Sequence, residues 1–128
     1  MIPESHRDLL ERPVVGVLAT INPDGSPQAS PVWLDYDGTF VRVNSARGRQ
    51  KDRNMRARPR VSLVLVDPDN PYRYMEIRGE VVRITEEGAD EHIDALAFRY
   101  TGQPRFERNS PDEVRVMYYI KPTRVVAH

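Results

Sequence analysis

The sequence predicts a mainly β fold of α+β class: a six- to seven-stranded antiparallel barrel, closed or split, carrying three helices. Three observations lead there. The apolar runs are short, rich in β-branched residues, and separated by turn signals such as Asn22-Pro-Asp-Gly25 and Asp37-Gly38. Helical patterns appear only at the start and after the third and fifth strands, unlike the βαβ alternation of a parallel sheet. No G-x-G-x-x-G or Walker sequence occurs, which removes the common nucleotide-binding α/β folds. Closing such a sheet is economical because closure removes exposed strand edges.

The elements follow in order. Ser5 stands in capping position for a short first helix, with Asp8 three residues on and Leu9 and Leu10 facing inward; Pro13 ends it. Residues 14–21 read as a buried strand, 27–36 as a second and 39–44 as an alternating third. Residues 47–58 read as a helix capped by Ser45 and stopped by Pro59. Residues 60–66 form a strand nearly apolar on both faces, broken by Asp67-Pro-Asp-Asn-Pro71. Residues 74–85 place Met75, Ile77, Gly79 and Val81 on one face. Apolar residues at both 81 and 82, close after Gly79, predict a bulge at a barrel corner. Residues 86–102 form an amphipathic helix whose apolar stripe is Ala89, Ile93, Leu96, Ala97 and Tyr100. A strand over 114–120, a turn at Lys121-Pro-Thr123 and a strand over 124–127 complete the chain.

The 128 residues are expected to form one domain, spanning 1–128. Only 39% of them are hydrophobic and 30% are charged, a lean core of the kind that homodimerisation would complete. The absence of cysteine excludes disulfides, thiolate zinc sites and cysteine nucleophiles. No signal-peptide pattern or long apolar run is present, so a soluble cytoplasmic protein without a membrane partner is expected. His6, His92 and His128 lie far apart in sequence and make no triad or metal set there.

Charge is the most informative local feature. Residues 47 to 60 hold seven of the 19 cationic side chains and one acid, Asp52, on a chain of formal net charge +0. Three readings compete for this segment: a solvated basic helix, a nucleic-acid contact, or an anion held where a strand runs into a helix. Nothing nearby resembles a nucleic-acid recognition element, so no nucleic-acid partner is expected. A helix N-terminus favours an anion through its free N–H groups and dipole. Asp52 is expected to pair with a neighbouring arginine at the surface, and Asn54 to be structural. Of Tyr118 and Tyr119, one ring is expected in the core while the other could face a pocket.

Residues 17–33, Val-Leu-Ala-Thr-Ile-Asn-Pro-Asp-Gly-Ser-Pro-Gln-Ala-Ser-Pro-Val-Trp, then Arg49-Gln-Lys-Asp-Arg-Asn-Met55, then Pro59-Arg-Val-Ser-Leu63, carry a resemblance. They resemble the pyridoxamine 5′-phosphate oxidase-like flavoproteins. Within these they are most similar to the actinobacterial branch that uses the deazaflavin coenzyme F420. The resemblance implies an FMN-binding split-barrel fold and a homodimer with two shared sites at its interface. It also implies that Arg49 and Lys51 grip the cofactor phosphate. The ring would lie over Ser30, Pro31, Val32 and Trp33 on one strand and Asn44, Ser45 and Ala46 on another, and further cations at Arg47, Arg53 or Arg56 would suit the acidic tail of F420. Guanidinium and ammonium groups suit phosphate through charge-assisted bonds.

By the same resemblance, the expected function is hydride transfer from reduced F420 to a flat conjugated organic acceptor of the enone, quinone or tetrapyrrole type. No catalytic side chain is identified, since the cofactor carries the hydride. Two alternatives stay open: an FMN-binding oxidoreductase on the same barrel, and an F420-binding or storage protein without turnover.

Overall fold

The computed structural model describes residues 1–128. Seven strands form one antiparallel sheet: β1 (Gly16–Ile21), β2 (Pro27–Val32), β3 (Leu34–Tyr36), β4 (Val41–Ala46), β5 (Arg60–Val66), β6 (Tyr74–Thr85) and β7 (Arg115–Ala127). Their order across the sheet is β2-β1-β5-β6-β7-β4-β3. The two end strands, β2 and β3, are therefore consecutive in sequence and separated by Trp33 alone. The chain itself closes the curled sheet, and this is the split barrel.

Three helices, α1 (Asp8–Glu11), α2 (Gln50–Ala57) and α3 (Ala89–Thr101), pack on this sheet. The interior is filled from alternate strand positions, among them Leu18, Leu63, Leu65, Ile77, Val116 and Ile120, with Leu9 and Leu10 from α1 and Met55 from α2. This is the inward-outward alternation that a half-buried antiparallel sheet demands.

Several elements depart from the sequence reading. Ser5 does not cap α1, because its hydroxyl bonds the His6 ring at 2.9 Å. The predicted second strand breaks at Trp33, where the chain leaves β1 and joins β4. β4 runs on to Ala46, and the Arg47 N–H continues its ladder to the Val114 carbonyl at 2.9 Å. Gly48, at φ 91°, then turns the chain, so α2 starts at Gln50 with Arg49, not Ser45, at the cap. α3 starts three residues later than predicted, behind Gly88 at φ 78°.

The expected turn at Lys121-Pro-Thr123 is absent. β7 continues through it, and its register against β6 shifts by one residue between Arg78 and Gly79. Beyond Ile120 its β4 side is free, so Pro122 lacks an N–H where a bulged edge tolerates the loss. The bulge predicted at Val81 and Val82, close after Gly79, is there: Val81 faces Ile120 and Arg83 faces Tyr119, which leaves Val82 as the extra residue on β6. A Cβ at residue 79 would lie 2.6 Å from the Ile120 side chain and 2.8 Å from the Lys121 carbonyl oxygen, which is why this corner requires glycine.

Candidate functional site

α2 begins beside β4 and β7, and this places a cavity of about 350 Å³ at the end of the barrel. Its apolar wall is Val15, Pro31, Val32, Trp33, Ile93 and Phe106; its polar wall is Asn44, Arg49, Lys51 and Arg115. Trp33, at the β2–β3 junction, stacks on Tyr100 of α3 with centroids 5.4 Å apart and meets the edge of Phe106 at 6.1 Å. The Tyr100 hydroxyl donates to the Val14 carbonyl at 2.8 Å and accepts from the Leu34 N–H at 3.2 Å, which fixes this aromatic wall.

Three cations converge opposite it. Arg49 sits at the N-cap of α2, which has no side-chain cap. Lys51, one position into that helix, donates to the Ser30 hydroxyl at 3.0 Å. Burial, with Arg49 and Arg115 close by, holds the Lys51 ammonium below its usual pKa. Arg115 is 4% exposed, and its guanidinium lies over the Phe106 ring at 4.7 Å. Glu113 is the one carboxylate among them, accepting from Arg49 Nη2 and Arg115 Nη1, each at 3.2 Å.

Behind the cations lies a polar chain. Arg115 Nε donates to Asn44 Oδ1 at 2.9 Å. An arginine can only donate, so the Asn44 amide nitrogen must face the other way. It donates to the Ala89 carbonyl and to His92 Nδ1, both at 3.0 Å. With Nδ1 accepting, the ring proton of His92 lies on Nε2, which stands 3.2 Å from Asp35 Oδ2. Burial opposes ionisation of Asp35, but His92 and the two-pronged contact from Arg42 at 2.9 Å outweigh it and keep its pKa low.

The structure thus brings Pro31, Val32, Trp33, Asn44, Arg49 and Lys51 together around the cavity, with Ser30 attached through Lys51. Ser45 and Ala46 are buried but do not line it; Ser45 shares the inward face of Val41 and Val43, and its hydroxyl has no partner. Arg47 pairs with Glu86 at 2.8 Å, outside the cavity. The sequence reading missed Arg115, Glu113, Phe106 and His92. An arginine in the β-branched opening of the last strand was the available sign of Arg115, while the loop residues gave none.

Three further arginines of the basic segment are tied down. Arg56 pairs with Asp52 at 3.0 Å, Arg58 donates to the Ile21 carbonyl at 2.7 Å, and Arg53 donates to Gln50 Oε1 at 2.7 Å. Asp52 is not a surface partner: it is 2% exposed and also accepts from the Gly48 N–H at 2.9 Å and the Tyr118 hydroxyl at 2.5 Å. Asn54 is structural, bonding Thr20, Asn22 and Gln50. Tyr118 is core, whereas Tyr119 packs on Phe40 and lines no part of the cavity.

A larger hollow of about 560 Å³ lies on the outer face of β1, β5 and β6. It contains no aromatic side chain, and its Arg78 is paired with Glu76. No group of three or more His, Asp or Glu side chains is placed to hold a metal, and no helix is long and apolar enough to cross a membrane.

The profile of the family described as pyridoxamine 5′-phosphate oxidase matches residues 2–128. Among solved structures, a protein named F420 Reductase is 40% identical, with a TM-score of 0.88 and 98% of each chain covered. A conserved hypothetical protein from Mycobacterium tuberculosis is 28% identical, with a TM-score of 0.75, covering 99% of this chain and 84% of the other. A Listeria innocua protein at 24% identity and a TM-score of 0.73, covering 97% and 95%, speaks for the fold alone.

Proposed function

The chain belongs to the pyridoxamine 5′-phosphate oxidase family, and from that premise we propose that it is a cytoplasmic F420-dependent oxidoreductase acting on a flat conjugated organic acceptor. The observation that carries this reading is a cavity with an aromatic wall on one side and three converging cations on the other, in a chain 40% identical to a protein named F420 Reductase. Arg49 and Lys51 would hold the cofactor phosphate at the uncapped start of α2, where the helix dipole adds to their charge. Pro31, Val32 and Trp33 would border the ring, and Ser30 would orient Lys51. Asn44, held by Arg115 and His92, offers a fixed polar edge. Bound F420 supplies hydride chemistry, so the protein's share is binding, orientation and exclusion of water.

A cavity of about 350 Å³ is small for such a ligand. It adjoins the outer face of β1, where Val17 on the strand and Val15 just before it are 46% and 49% exposed. A homodimer packed on that face would enlarge and close the site.

Paired fluorescence titration of the cofactor-free protein with F420 and FMN tests the reading. Tight F420 and weak FMN binding, followed by oxidation of reduced F420 on adding enones or quinones, is expected. The reverse preference makes it an FMN enzyme. F420 binding without turnover across a broad acceptor panel makes it a storage protein.

A further inference from the structure

Arg49, Lys51 and Arg115 share one cavity wall, and the single carboxylate bonded to them, set behind that wall, is peculiarly placed. Glu113 spans both guanidiniums, one oxygen on each, with only 7% of its side chain exposed. Lys51 has no carboxylate partner, and Arg115 Nη2 makes no hydrogen bond within the chain. Arg115 is buried on β7, while Glu113 lies just before that strand, in the loop that also delivers Phe106 to the cavity. A buried cation needs a counter-charge or loses much of its stability.

We propose that Arg115 is a third member of the phosphate-binding centre, and that Glu113 is its internal counter-ion, competing with the ligand anion for Arg49 and Arg115. Without ligand, the carboxylate keeps the two guanidiniums from repelling each other. A phosphate group entering beside Lys51 shares the same donors with Glu113. Each anion then weakens the hold of the other. Glu113 thereby sets how much negative charge the ligand must bring: three cations less one carboxylate leave a surplus that suits a phosphate ester and disfavours an uncharged ring. The identity of that ligand as F420 rests on the function proposed above; the counter-ion role does not.

The two roles Glu113 could have predict opposite signs. If it only props up the site, Glu113→Gln must weaken anion binding. If it competes with the ligand, the same isosteric loss of charge must tighten it. The test compares wild type, Glu113→Gln and Glu113→Asp by titration with inorganic phosphate at constant ionic strength, followed by thermal shift, and then with F420. The expected result is phosphate affinity raised on the order of fivefold in Glu113→Gln, a lower Tm for that variant without ligand, and near wild-type affinity in Glu113→Asp, which keeps the charge. Equal or weaker phosphate binding by Glu113→Gln overturns the inference, as does phosphate binding to none of the three. Should Glu113→Gln fold poorly, Glu113→Asp still decides, since a loss of phosphate affinity there would mean that packing and not charge is at stake. A gain for phosphate with no F420 binding by any form sinks the proposed cofactor and leaves the counter-ion standing. F420 binding with no gain in Glu113→Gln does the opposite.

Discussion

Single side chains decide the proposed anion site. Arg49→Ala and Lys51→Ala should each weaken cofactor binding by about 1.5–3 kcal/mol, the worth of a charge-assisted hydrogen bond. Calorimetric titration checks this, and unchanged affinity in both would place the phosphate elsewhere. Asp52 governs stability instead. Burial opposes its ionisation, but Tyr118, the Gly48 N–H and Arg56 together hold its pKa below the usual 3.8. A carboxyl lowered on folding stabilises the protein above its unfolded pKa, and that contribution is lost as pH falls through the folded value. Asp52→Asn should therefore cost about 1–3 kcal/mol at neutral pH, with the gap to wild type narrowing below about pH 4. Urea denaturation at two pH values reads both. The same carboxylate shows the limit of residue-level reading. In sequence Asp52 is one acid among arginines and looks solvated; only the fold sets Tyr118, 66 positions away, against it. Arg49 and Lys51 are named through the resemblance, which rests on a short local motif, whereas Arg115 comes beside them only through the pairing of β7 with β4, and Glu113 only through the loop before it.

At the scale of elements, local chemistry gave type reliably and limits less so. Strand β5 and the long β6 with its bulge follow from alternation and from Gly79. The start of α2 did not, because Ser45 resembles a cap while the ladder to Val114 keeps it in the strand. The break at Trp33 was equally hidden: residues on either side are good strand formers, and what parts them is a change of partner. Gly79→Ala should cost about 2–3 kcal/mol, because the Lys121 backbone oxygen at 2.8 Å cannot step aside. Gly16→Ala meets only the side chains of Leu34 and Leu63, at 2.7 and 2.8 Å, which can rotate, and should cost less, about 1 kcal/mol. Denaturation of the two variants side by side checks the order.

For the whole molecule, sequence indicated a barrel but not the strand order, since turn signals say nothing of which distant strands meet. Val15, Val17 and Val66 remain 49%, 46% and 44% exposed on β1 and β5 and the approach to them, an apolar face without cover in one chain. If two copies meet there, Val17→Asp should convert a dimer to a monomer in sedimentation velocity, and a wild type that already sediments as a compact monomer ends the idea. The closure at Trp33 has another consequence. β2 pairs only with β1, and β3 only with β4, so each leaves one flank of its amides without a neighbouring strand. Amide hydrogens on these two strands are the ones from which solvent exchange would begin, and the two borders meet at Trp33, in the cavity wall. A flat molecule stacked there would act as a rivet through the seam, slowing exchange in two strands that share no hydrogen bond with each other.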